Sequence, residues 1–539
     1  MTDLFERAQR WAQNDPDEKT KAELISLLAQ AKSDQTALKD LESRFTGFLE
    51  FGTAGLRAEV GAGESRMNLA VIRRATAGLC EYLLKHSNNQ IPLLIVGNDA
   101  RRMSAEFATE VCRVASSFGL RVKQLPSRVP TPLVAYSVKK LKADCGVMIT
   151  ASHNPPKDNG YKVYDHFGAG IIPPVDELIS TYISQQNEVI KINSATWEQI
   201  DTRPQYLARL KELVSSIEHR DLRIAYTPLH GVGLDLFRQS MQNLQMSQVF
   251  VVSEQAQPDP TFKTVSFPNP EEPGATDLLL ALASKVKADL AIAHDPDADR
   301  CAVGAVYENS WRMLKGDELG ILLAWWLMQK PNLKPTDVFS ASLVSSSLVV
   351  KMAKANGFIG ETTLTGMKWA GHIENLVFGY EEAIGYLVDP KAVSDKDGFS
   401  TAVLVIELMD WAKSENKSLF SILDEIYQQY GLHLTEQISV RLPNVTLAKE
   451  KSQNLILNPP KYIGTEMVEA VIDMKNPQSN LPASTGVILQ MANARVIIRP
   501  SGTEPKIKCY LEVIGEFKDK SQLSGRLANL ALAMESILN

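Results

Sequence analysis

Two stretches of this chain repeat the same order of segments: the end of a helix, the triplet Lys-Ala-Asp, an apolar strand and a polar loop. They read KKLKADCGVMITASHNP and SKVKADLAIAHDPDADR. Ser152 lies eight residues after Asp144 in the first stretch, and Asp297 lies eight residues after Asp289 in the second. A unit that recurs with its polar loop in the same place predicts several related α/β domains rather than one irregular core.

Strand-like and helix-like segments alternate along most of the chain, after a helical stretch of about 45 residues. The segments PLLIVGNDARRMS, LRIAYTPLHGVG and DVFSASLVSSS each read as a β-rich run that turns into a helix. This alternation predicts α/β layers with largely parallel sheets. HIENLVFGYEEAIGY is a candidate third copy, with Glu381 and Glu382 following a strand. Because ligand sites in such sheets form beyond the carboxyl ends of the strands, we expect the polar loops to face one cleft.

The composition is that of a soluble protein: 539 residues, 44% hydrophobic, 22% charged and a net charge of −6. This length predicts several domains, and the mild acidity argues against a nucleic-acid-binding protein. The run Ile321–Met328 is too short to cross a bilayer and reads as a buried helix. Five scattered cysteines and an N-terminus without a signal-peptide apolar region predict free thiols and a cytoplasmic location.

The segment HDPDADRC predicts a divalent-cation site. In an extended segment, Asp295, Asp297 and Asp299 would project the same way and present three carboxylates to one hard cation such as Mg²⁺. An EF-hand is excluded, since the glycine required at its sixth position is Arg300 and the glutamate at its twelfth is Val306.

The segment IIRPSGTEPKIK places Arg499 and Lys506 on either side of a Ser-Gly-Thr loop, a suitable cradle for phosphate. Neither a GxxxxGK[ST] loop nor a GxGxxG loop after a strand occurs, which argues against a nucleotide-dependent kinase or dehydrogenase. A serine hydroxyl, a cation site, anion-binding loops and paired glutamates together suit phosphoryl transfer through a covalent carrier. Other candidate residues, each more typical of a surface when taken alone, are Arg57, Arg66, Arg101, Ser104, Thr365, Gly366, Lys368 and Lys396.

Four motifs, in order, make the chain resemble the α-D-phosphohexomutases over nearly its whole length. TASHNPPKDNGYKVY is similar to the family's phosphoserine loop, DPDADR to its metal loop, GYEEAIG to its sugar loop and RPSGTEPK to its phosphate loop. The resemblance implies an α/β protein of four domains around a central cleft. Three are related α/β units with mixed, mostly parallel sheets, and the last is a smaller C-terminal α+β domain. The expected bounds are 1–205, 206–310, 311–432 and 433–539.

The resemblance also implies a role for each matching residue. Ser152 is expected to carry the phosphoryl group and to bind Mg²⁺ with Asp295, Asp297 and Asp299. The implied groups for acid–base or electrostatic roles are Arg57, His153, Lys162 and Lys396. The implied substrate contacts are Arg300 beside the metal, Glu381 and Glu382 on sugar hydroxyls, Thr365, Gly366 and Lys368 near them, and Arg499, Ser501, Gly502 and Thr503 on the non-reacting phosphate.

The expected activity is that of a Mg²⁺-dependent phosphoglucomutase, with glucose 1,6-bisphosphate as intermediate and activator. Ala383 follows Glu382 where a common phosphoglucomutase loop has serine. That difference favours the branch holding bacterial phosphoglucomutases, phosphopentomutases and glucose-1,6-bisphosphate synthases. Phosphomannomutase and phosphopentomutase activity are the alternatives, and a sugar-phosphate-binding pseudoenzyme is a third. The expected partners are small sugar phosphates, without nucleic acid or membrane, and the expected state is a monomer or weak homo-oligomer.

Overall fold

The structure is a computed structural model, and it describes residues 2–52, 54–186, 189–193, 195–214, 217–476, 481–500 and 505–539. The chain divides into two compact units. The first comprises Met1–Met313 with Gly385–Asp410, and the second comprises Leu314–Ile384 with Trp411–Asn539.

Three helices begin the first unit, as the helical periodicity predicts. Asp17 and Asp34 cap the second and third helices by accepting hydrogen bonds from backbone N–H groups two residues later. Leu24, Leu28 and Leu41 are buried between the helices and form a small core of their own. The helices are α1 (Thr2–Asn14), α2 (Glu18–Gln30) and α3 (Gln35–Arg44).

The first α/β domain has a six-stranded mixed sheet. Its elements are β1 (Leu56–Glu59), α4 (Leu69–His86), β2 (Leu93–Asn98), α5 (Ser104–Ser117), β3 (Arg121–Gln124), α6 (Thr131–Leu141), β4 (Cys145–Ile149), β5 (Asp158–Tyr164), α7 (Val175–Ser184) and β6 (Glu198–Gln199). The strand order is β1-β5-β4-β2-β3-β6. Strands β4, β2 and β3 are parallel neighbours, whereas β5 is antiparallel to both β4 and β1. The whole of β4 is buried, as its apolar sequence requires.

The second α/β domain has a five-stranded sheet. Its elements are α8 (Arg203–Leu213), β7 (Ile224–Thr227), α9 (Leu234–Asn243), β8 (Val249–Val251), α10 (Asp277–Val286), β9 (Leu290–His294), β10 (Cys301–Tyr307) and β11 (Ser310–Met313). The strand order is β11-β10-β9-β7-β8, and β7 is parallel to both β8 and β9. The buried strand β9 therefore occupies the place that β4 has in the first sheet.

The repeated Lys-Ala-Asp triplet has the same local structure in both sheets. Its lysine ends a helix in the left-handed conformation, with φ of 50° in the first copy and 49° in the second. Its aspartate then accepts a hydrogen bond of 2.7 Å from a backbone N–H at the start of the neighbouring strand: Asp144 from Leu93, and Asp289 from Arg223. This bond fixes where β4 and β9 begin, and hence where their polar loops emerge.

The second unit begins with a third α/β layer. Its elements are α11 (Gly316–Met328), β12 (Val338–Ser342), α12 (Leu348–Ala355), β13 (Ile359–Thr363), α13 (Met367–Ala370) and β14 (Leu376–Glu381). Strand β12 is parallel to both β13 and β14. Glu381 ends β14 and Glu382 follows it, close to the predicted place. The chain then returns to the first unit, where it forms β15 (Gly385–Leu387) and most of α14 (Gly398–Ser414).

The C-terminal part is a smaller α+β domain, as predicted. Its elements are α15 (Leu419–Tyr430), β16 (Leu432–Arg441), α16 (Val445–Leu457), β17 (Tyr462–Ile463), β18 (Glu466–Met467), β19 (Ala470–Asp473), β20 (Val487–Met491), β21 (Ala494–Pro500), β22 (Lys506–Gly515) and α17 (Lys520–Leu538). The main sheet is antiparallel, in the order β16-β22-β21-β20-β19. Within the described ranges, none of the helices has both the length and the apolar character needed to cross a membrane.

A buried carboxylate joins this C-terminal sheet to the third α/β layer. Glu512 on β22 accepts hydrogen bonds from Arg495 Nε at 2.7 Å and from the backbone N–H of Ser347 at 2.8 Å, and His433 Nδ1 lies 3.0 Å from the same carboxylate. Burial alone would raise the pKa of Glu512. Arg495, His433 and the Ser347 N–H outweigh that effect and lower the pKa to about 2.

The depressed pKa of Glu512 predicts an acid-sensitive contribution to folding. This contribution is complete above the unfolded-state pKa of about 4.5 and is lost as the pH falls toward the folded-state pKa of about 2. Between pH 6 and pH 4, Glu512 should therefore contribute about 1 kcal/mol to the fall in the free energy of unfolding. Urea unfolding at both pH values should show a shallower fall in Glu512→Gln. The control Glu450→Gln, at an exposed glutamate, should match the wild type. An equal fall in the free energy of unfolding between pH 6 and pH 4 in all three proteins would refute the prediction.

Candidate active site

Ser152 lies three residues beyond the end of β4, in a loop at the carboxyl edge of the first sheet. Its φ is 49°, a left-handed conformation that is costly for a residue other than glycine. The backbone N–H donates to Thr150 Oγ1 at 2.9 Å, and Ser152 Oγ donates to Asp295 Oδ2 at 2.8 Å. His153 Nδ1 lies 3.3 Å from the same Oγ. The hydroxyl is thus held against an aspartate of the second sheet rather than pointing into solvent.

Asp295, Asp297 and Asp299 converge as predicted. Their relative exposures are 0%, 1% and 3%, and one oxygen from each lies within 4.8 Å of the others. Asp297 Oδ2 accepts hydrogen bonds from Thr131 at 2.7 Å and from Thr150 at 3.3 Å. The Oδ1 atoms of Asp297 and Asp299 are buried without a hydrogen-bond partner among the described residues. Three crowded carboxylates, two of which have an unpartnered oxygen, are a donor set that suits a hard divalent cation, so these residues fit Mg²⁺.

The prediction that these three aspartates converge because their segment is extended is wrong. The segment is not extended: it turns, with the N–H of Ala298 donating to Asp295 O at 2.9 Å and Ala298 at φ 55°. Close packing holds the turn. A Cβ on Gly398 would lie 2.8 Å from Ala298 O, and a Cβ on Gly231 would lie 2.3 Å from Pro296 Cα. The carboxylates converge because the chain folds back on itself rather than because side chains alternate along a strand.

Two predicted lysines, Lys162 and Lys396, stand beside the triad together with Asp395, which the sequence did not indicate. Lys162 Nζ lies 2.7 Å from Asp395 Oδ2 and 3.5 Å from Asp299 Oδ2. Lys396 Nζ lies 3.2 Å from Asp299 Oδ2 and 3.5 Å from Asp395 Oδ1. Burial alone would raise the pKa of Asp395, but the two ammonium groups hold it below its usual range. Burial alone would lower the pKa of Lys162, but Asp395 and Asp299 raise it, so this lysine is protonated at neutral pH.

Arg300, Arg57 and His153 complete this group. Arg300 Nε lies 4.0 Å from the nearest oxygens of both Asp295 and Asp299. Arg57 is exposed on β1, where it pairs with Gly160 of β5. The pKa of His153 is held well below its usual value, mainly because the ring is buried and to a smaller extent because Arg300 and Arg57 are positively charged. The imidazole is therefore neutral at physiological pH and can accept or donate a proton at Ser152 Oγ.

A second group of predicted residues meets in the second unit. Glu381 Oε1 accepts a hydrogen bond from the backbone N–H of Gly366 at 2.6 Å. Arg499, on β21, donates from Nη1 to Thr365 Oγ1. Arg499 Nε is buried and has no hydrogen-bond partner in the described part of the chain. A guanidinium with an unsatisfied buried N–H beside a Thr-Gly loop is suited to an anion such as phosphate.

Glu382 and Lys368 belong to the same group. The backbone N–H of Glu382 donates to Ser345 Oγ at 2.9 Å, and Glu382 Oε2 lies 3.2 Å from that hydroxyl. Lys368 is half-buried on α13, directly after the Thr365–Gly366 loop. The predicted residues Ser501, Gly502 and Thr503 lie outside the described residues.

Most of the predicted residues therefore fall into two groups. The first consists of Arg57, Ser152, His153, Lys162, Asp295, Asp297, Asp299, Arg300 and Lys396, and the second of Thr365, Gly366, Lys368, Glu381, Glu382 and Arg499. Four further residues contact these groups: Thr131, Thr150 and Asp395 beside the first, and Ser345 beside the second. Thr131 begins α6 and the other three lie in loops that follow strands, and the sequence carried no other signal for any of them.

Comparison with known proteins identifies the family. The chain is 36% identical over 489 residues to a probable phosphomannomutase of Haemophilus influenzae, covering 88% of this chain and 98% of that protein. The chain belongs to the phosphoglucomutase/phosphomannomutase family. Models of this family's three α/β/α domains match residues 49–189, 204–307 and 315–430, and the model of its C-terminal domain matches 483–521. The predicted family, fold class and enzyme class, a phosphohexomutase, are confirmed.

Other known proteins match this chain almost end to end. The human phosphopentomutase is 35% identical over 596 residues, covering 99% of this chain and 95% of that protein. The phosphoribomutase of Saccharomyces cerevisiae is 34% identical over 600 residues, covering 98% and 95%. Parafusin of Paramecium shares the fold, with a TM-score of 0.72 at 19% identity over 91% of this chain and 94% of that structure.

Proposed function

We propose that this family member is a phosphoglucomutase, which interconverts glucose 1-phosphate and glucose 6-phosphate through phosphorylated Ser152 and a glucose 1,6-bisphosphate intermediate. The observation that carries the proposal is the bond of 2.8 Å from Ser152 Oγ to Asp295 Oδ2, one of three buried carboxylates. A serine hydroxyl held at a divalent-cation site is suited to carrying a phosphoryl group covalently.

In the first half-reaction, the 6-hydroxyl oxygen of glucose 1-phosphate attacks the phosphorus on Ser152. The bond between phosphorus and the sugar oxygen forms, the bond to Ser152 Oγ breaks, and the hydroxyl proton passes to Oγ. In the second, Ser152 Oγ attacks the 1-phosphate of glucose 1,6-bisphosphate. The bond between that phosphorus and Oγ forms, its bond to the 1-oxygen of the sugar breaks, the Oγ proton passes to the 1-oxygen, and glucose 6-phosphate leaves. His153, neutral and 3.3 Å from Oγ, is placed to pass this proton.

The chain's charged residues supply the electrostatic conditions for these steps. Asp295, Asp297 and Asp299, with the phosphate of Ser152, would hold Mg²⁺. When bound, Mg²⁺ neutralises charge on the transferring phosphoryl group. Lys162 and Lys396, held by Asp395, place two ammonium groups at the edge of the same site. We assign Arg300 and Arg57 to contacts with the phosphoryl group.

The second group of residues is assigned to the sugar and to its other phosphate. Glu381 and Glu382 accept hydrogen bonds from sugar hydroxyls, with Thr365, Gly366 and Lys368 beside them. Arg499, with Ser501, Gly502 and Thr503, holds the phosphate that is not being transferred. We also propose the domain bounds 1–205, 206–310, 311–432 and 433–539.

Phosphomannomutase and phosphopentomutase activity remain the alternatives, and the names of the relatives above include both. The decisive test is to assay purified protein with the 1-phosphates of glucose, mannose and ribose under identical Mg²⁺ and bisphosphate concentrations. We expect the highest kcat/KM for glucose 1-phosphate. A higher value for ribose or mannose 1-phosphate would replace the proposed sugar but keep the mechanism. No turnover of any of them would favour a sugar-phosphate-binding protein without mutase activity.

The assignment of Arg499 to phosphate binding predicts that its removal lowers kcat/KM by a similar factor in both directions of the reaction. A charge-assisted hydrogen bond contributes roughly 1.5–3 kcal/mol, so Arg499→Ala should lower kcat/KM about 10- to 150-fold. The loss should be alike for glucose 1-phosphate and glucose 6-phosphate, because one cradle holds whichever phosphate is not reacting. Calorimetry with each monophosphate, on a Ser152→Ala background, measures the binding part. Weaker binding of only one monophosphate would refute the shared cradle.

A further inference from the structure

A buried arginine holds the loop that carries Ser152. Arg101, only 5% exposed, follows β2 at the same sheet edge as the Ser152 loop follows β4. Its Nη2 donates to Ser152 O at 2.7 Å and to Asn154 O at 2.6 Å. Its Nη1 donates to Pro155 O at 2.8 Å and to Asp158 O at 3.0 Å. One guanidinium therefore binds three backbone carbonyls of the Ser152 loop and the carbonyl of Asp158, the first residue of β5.

These bonds hold a strained backbone conformation in place. Ser152 has φ 49°, and its loop runs between β4 and β5 without strand pairing of its own. A serine persists in the left-handed conformation only where its surroundings hold it there. The carbonyl of Ser152 itself accepts from Arg101, so the clamp acts directly on the strained residue.

The guanidinium is itself fixed in place. Asp99 Oδ1 accepts from the backbone N–H of Arg101 at 2.9 Å and from Ser104 Oγ at 2.6 Å, and Asp99 Oδ2 lies 3.7 Å from Arg101 Nε. The ring of Phe262 lies 5.0 Å from the guanidinium carbon. Ser104 Oγ also accepts from Asn159 Nδ2 at 3.0 Å, which ties the far end of the Ser152 loop to the same turn.

This geometry assigns Arg101 a role other than anion binding. Its four Nη bonds all go to backbone carbonyls, so no Nη hydrogen is left for a phosphate. Its Nε is buried, has no hydrogen-bond partner among the described residues and lies 3.7 Å from Asp99 Oδ2. A planar, five-donor group suits four carbonyls at fixed positions, whereas the three N–H bonds of a lysine ammonium diverge from one point. The expectation that residues of this turn are surface groups is therefore wrong for Arg101.

We propose that Arg101 is the positioning residue of the nucleophile: it clamps the Ser152 loop in the strained conformation that brings Oγ to the carboxylate triad. The inference rests on the proposed role of Ser152 as phosphoryl carrier. Small displacements of a reacting group are costly in catalysis, so loosening the clamp should slow phosphoryl transfer more than it weakens sugar-phosphate binding.

The test compares Arg101→Lys, which keeps the charge, with Arg102→Lys at the adjacent exposed residue. Arg101→Lys should lower kcat at least about tenfold and change KM less than about threefold. Amide hydrogen exchange over residues 151–158 should become faster in this variant, while exchange in α1–α3 stays the same. Guanidinium ion added at millimolar concentration should restore part of the activity of Arg101→Ala. Arg102→Lys should match the wild type in every measurement.

Each outcome decides between defined alternatives. Full kcat with unchanged loop exchange in Arg101→Lys would overturn the clamp. So would faster exchange throughout the first unit, because that pattern indicates a general stability role. Failure of the proposed function is seen separately: wild-type protein would then take no phosphate onto Ser152 from glucose 1,6-bisphosphate, whatever Arg101→Lys does.

Discussion

Ser152→Ala is expected to lose at least about 10⁴-fold in kcat, because the variant has no oxygen to accept and return the phosphoryl group. Its fold should survive. The substitution removes one hydrogen bond to Asp295, which costs about 1 kcal/mol in the free energy of unfolding. The measurement is a coupled assay of glucose 6-phosphate formation, with thermal unfolding of the same sample.

The control for this variant is Ser284→Ala, at an exposed serine on α10, which should match the wild type in both measurements. Activity of Ser152→Ala within about tenfold of the wild type would exclude Ser152 as the carrier. Loss of activity together with loss of cooperative unfolding would instead reveal a structural role for the hydroxyl.

Asp297→Asn is expected to weaken Mg²⁺ binding and turnover together. Three carboxylates converge within 4.8 Å, and an amide in place of one removes a full negative charge from the cation site. We expect the Mg²⁺ concentration for half-maximal activity to rise at least about tenfold and the saturated rate to fall about 100-fold. The amide oxygen can still accept from Thr131, so the fold should persist.

A readout besides activity comes from ligand-linked stability. Mg²⁺ that binds the folded protein raises its melting temperature, by an amount that depends on the ratio of its concentration to its dissociation constant. This rise should shrink in Asp297→Asn and persist in Asp235→Asn, an exposed aspartate on α9. An unchanged Mg²⁺ midpoint and an unchanged rise in melting temperature in Asp297→Asn would make the triad a structural turn.

Local chemistry explains why the repeat was readable from the sequence. Lys-Ala-Asp specifies a left-handed helix end and an aspartate bonded to the next strand, so it marks the start of β4 and of β9 within a few residues. Such short-range interactions leave a signature in the order of residue types. The convergence of Asp295, Asp297 and Asp299 was predictable for a similar reason, although the turn that produces it depends on packing against Gly231 and Gly398.

The missed residues act through contacts that are distant in sequence. Asp395 holds Lys162 from 233 positions away, and Thr131 bonds Asp297 from 166 positions away. Neither partner reveals the other by periodicity or spacing. Arg101 is a different case, because its neighbours in the sequence are polar and suggest a surface position. Only the pairing of β2 with β4 brings its guanidinium into contact with the Ser152 loop. Long-range pairs of this kind depend on topology, which residue order alone does not fix.

The most direct test of the mechanism is to locate the phosphate on the protein. Wild-type protein is incubated with glucose 1,6-bisphosphate, and its intact mass and peptide map are recorded before and after addition of excess glucose 1-phosphate. We predict one phosphate per chain, on Ser152, that is lost when glucose 1-phosphate is added. A phosphate on another residue, or an active protein that never becomes phosphorylated, would contradict the phosphoserine mechanism.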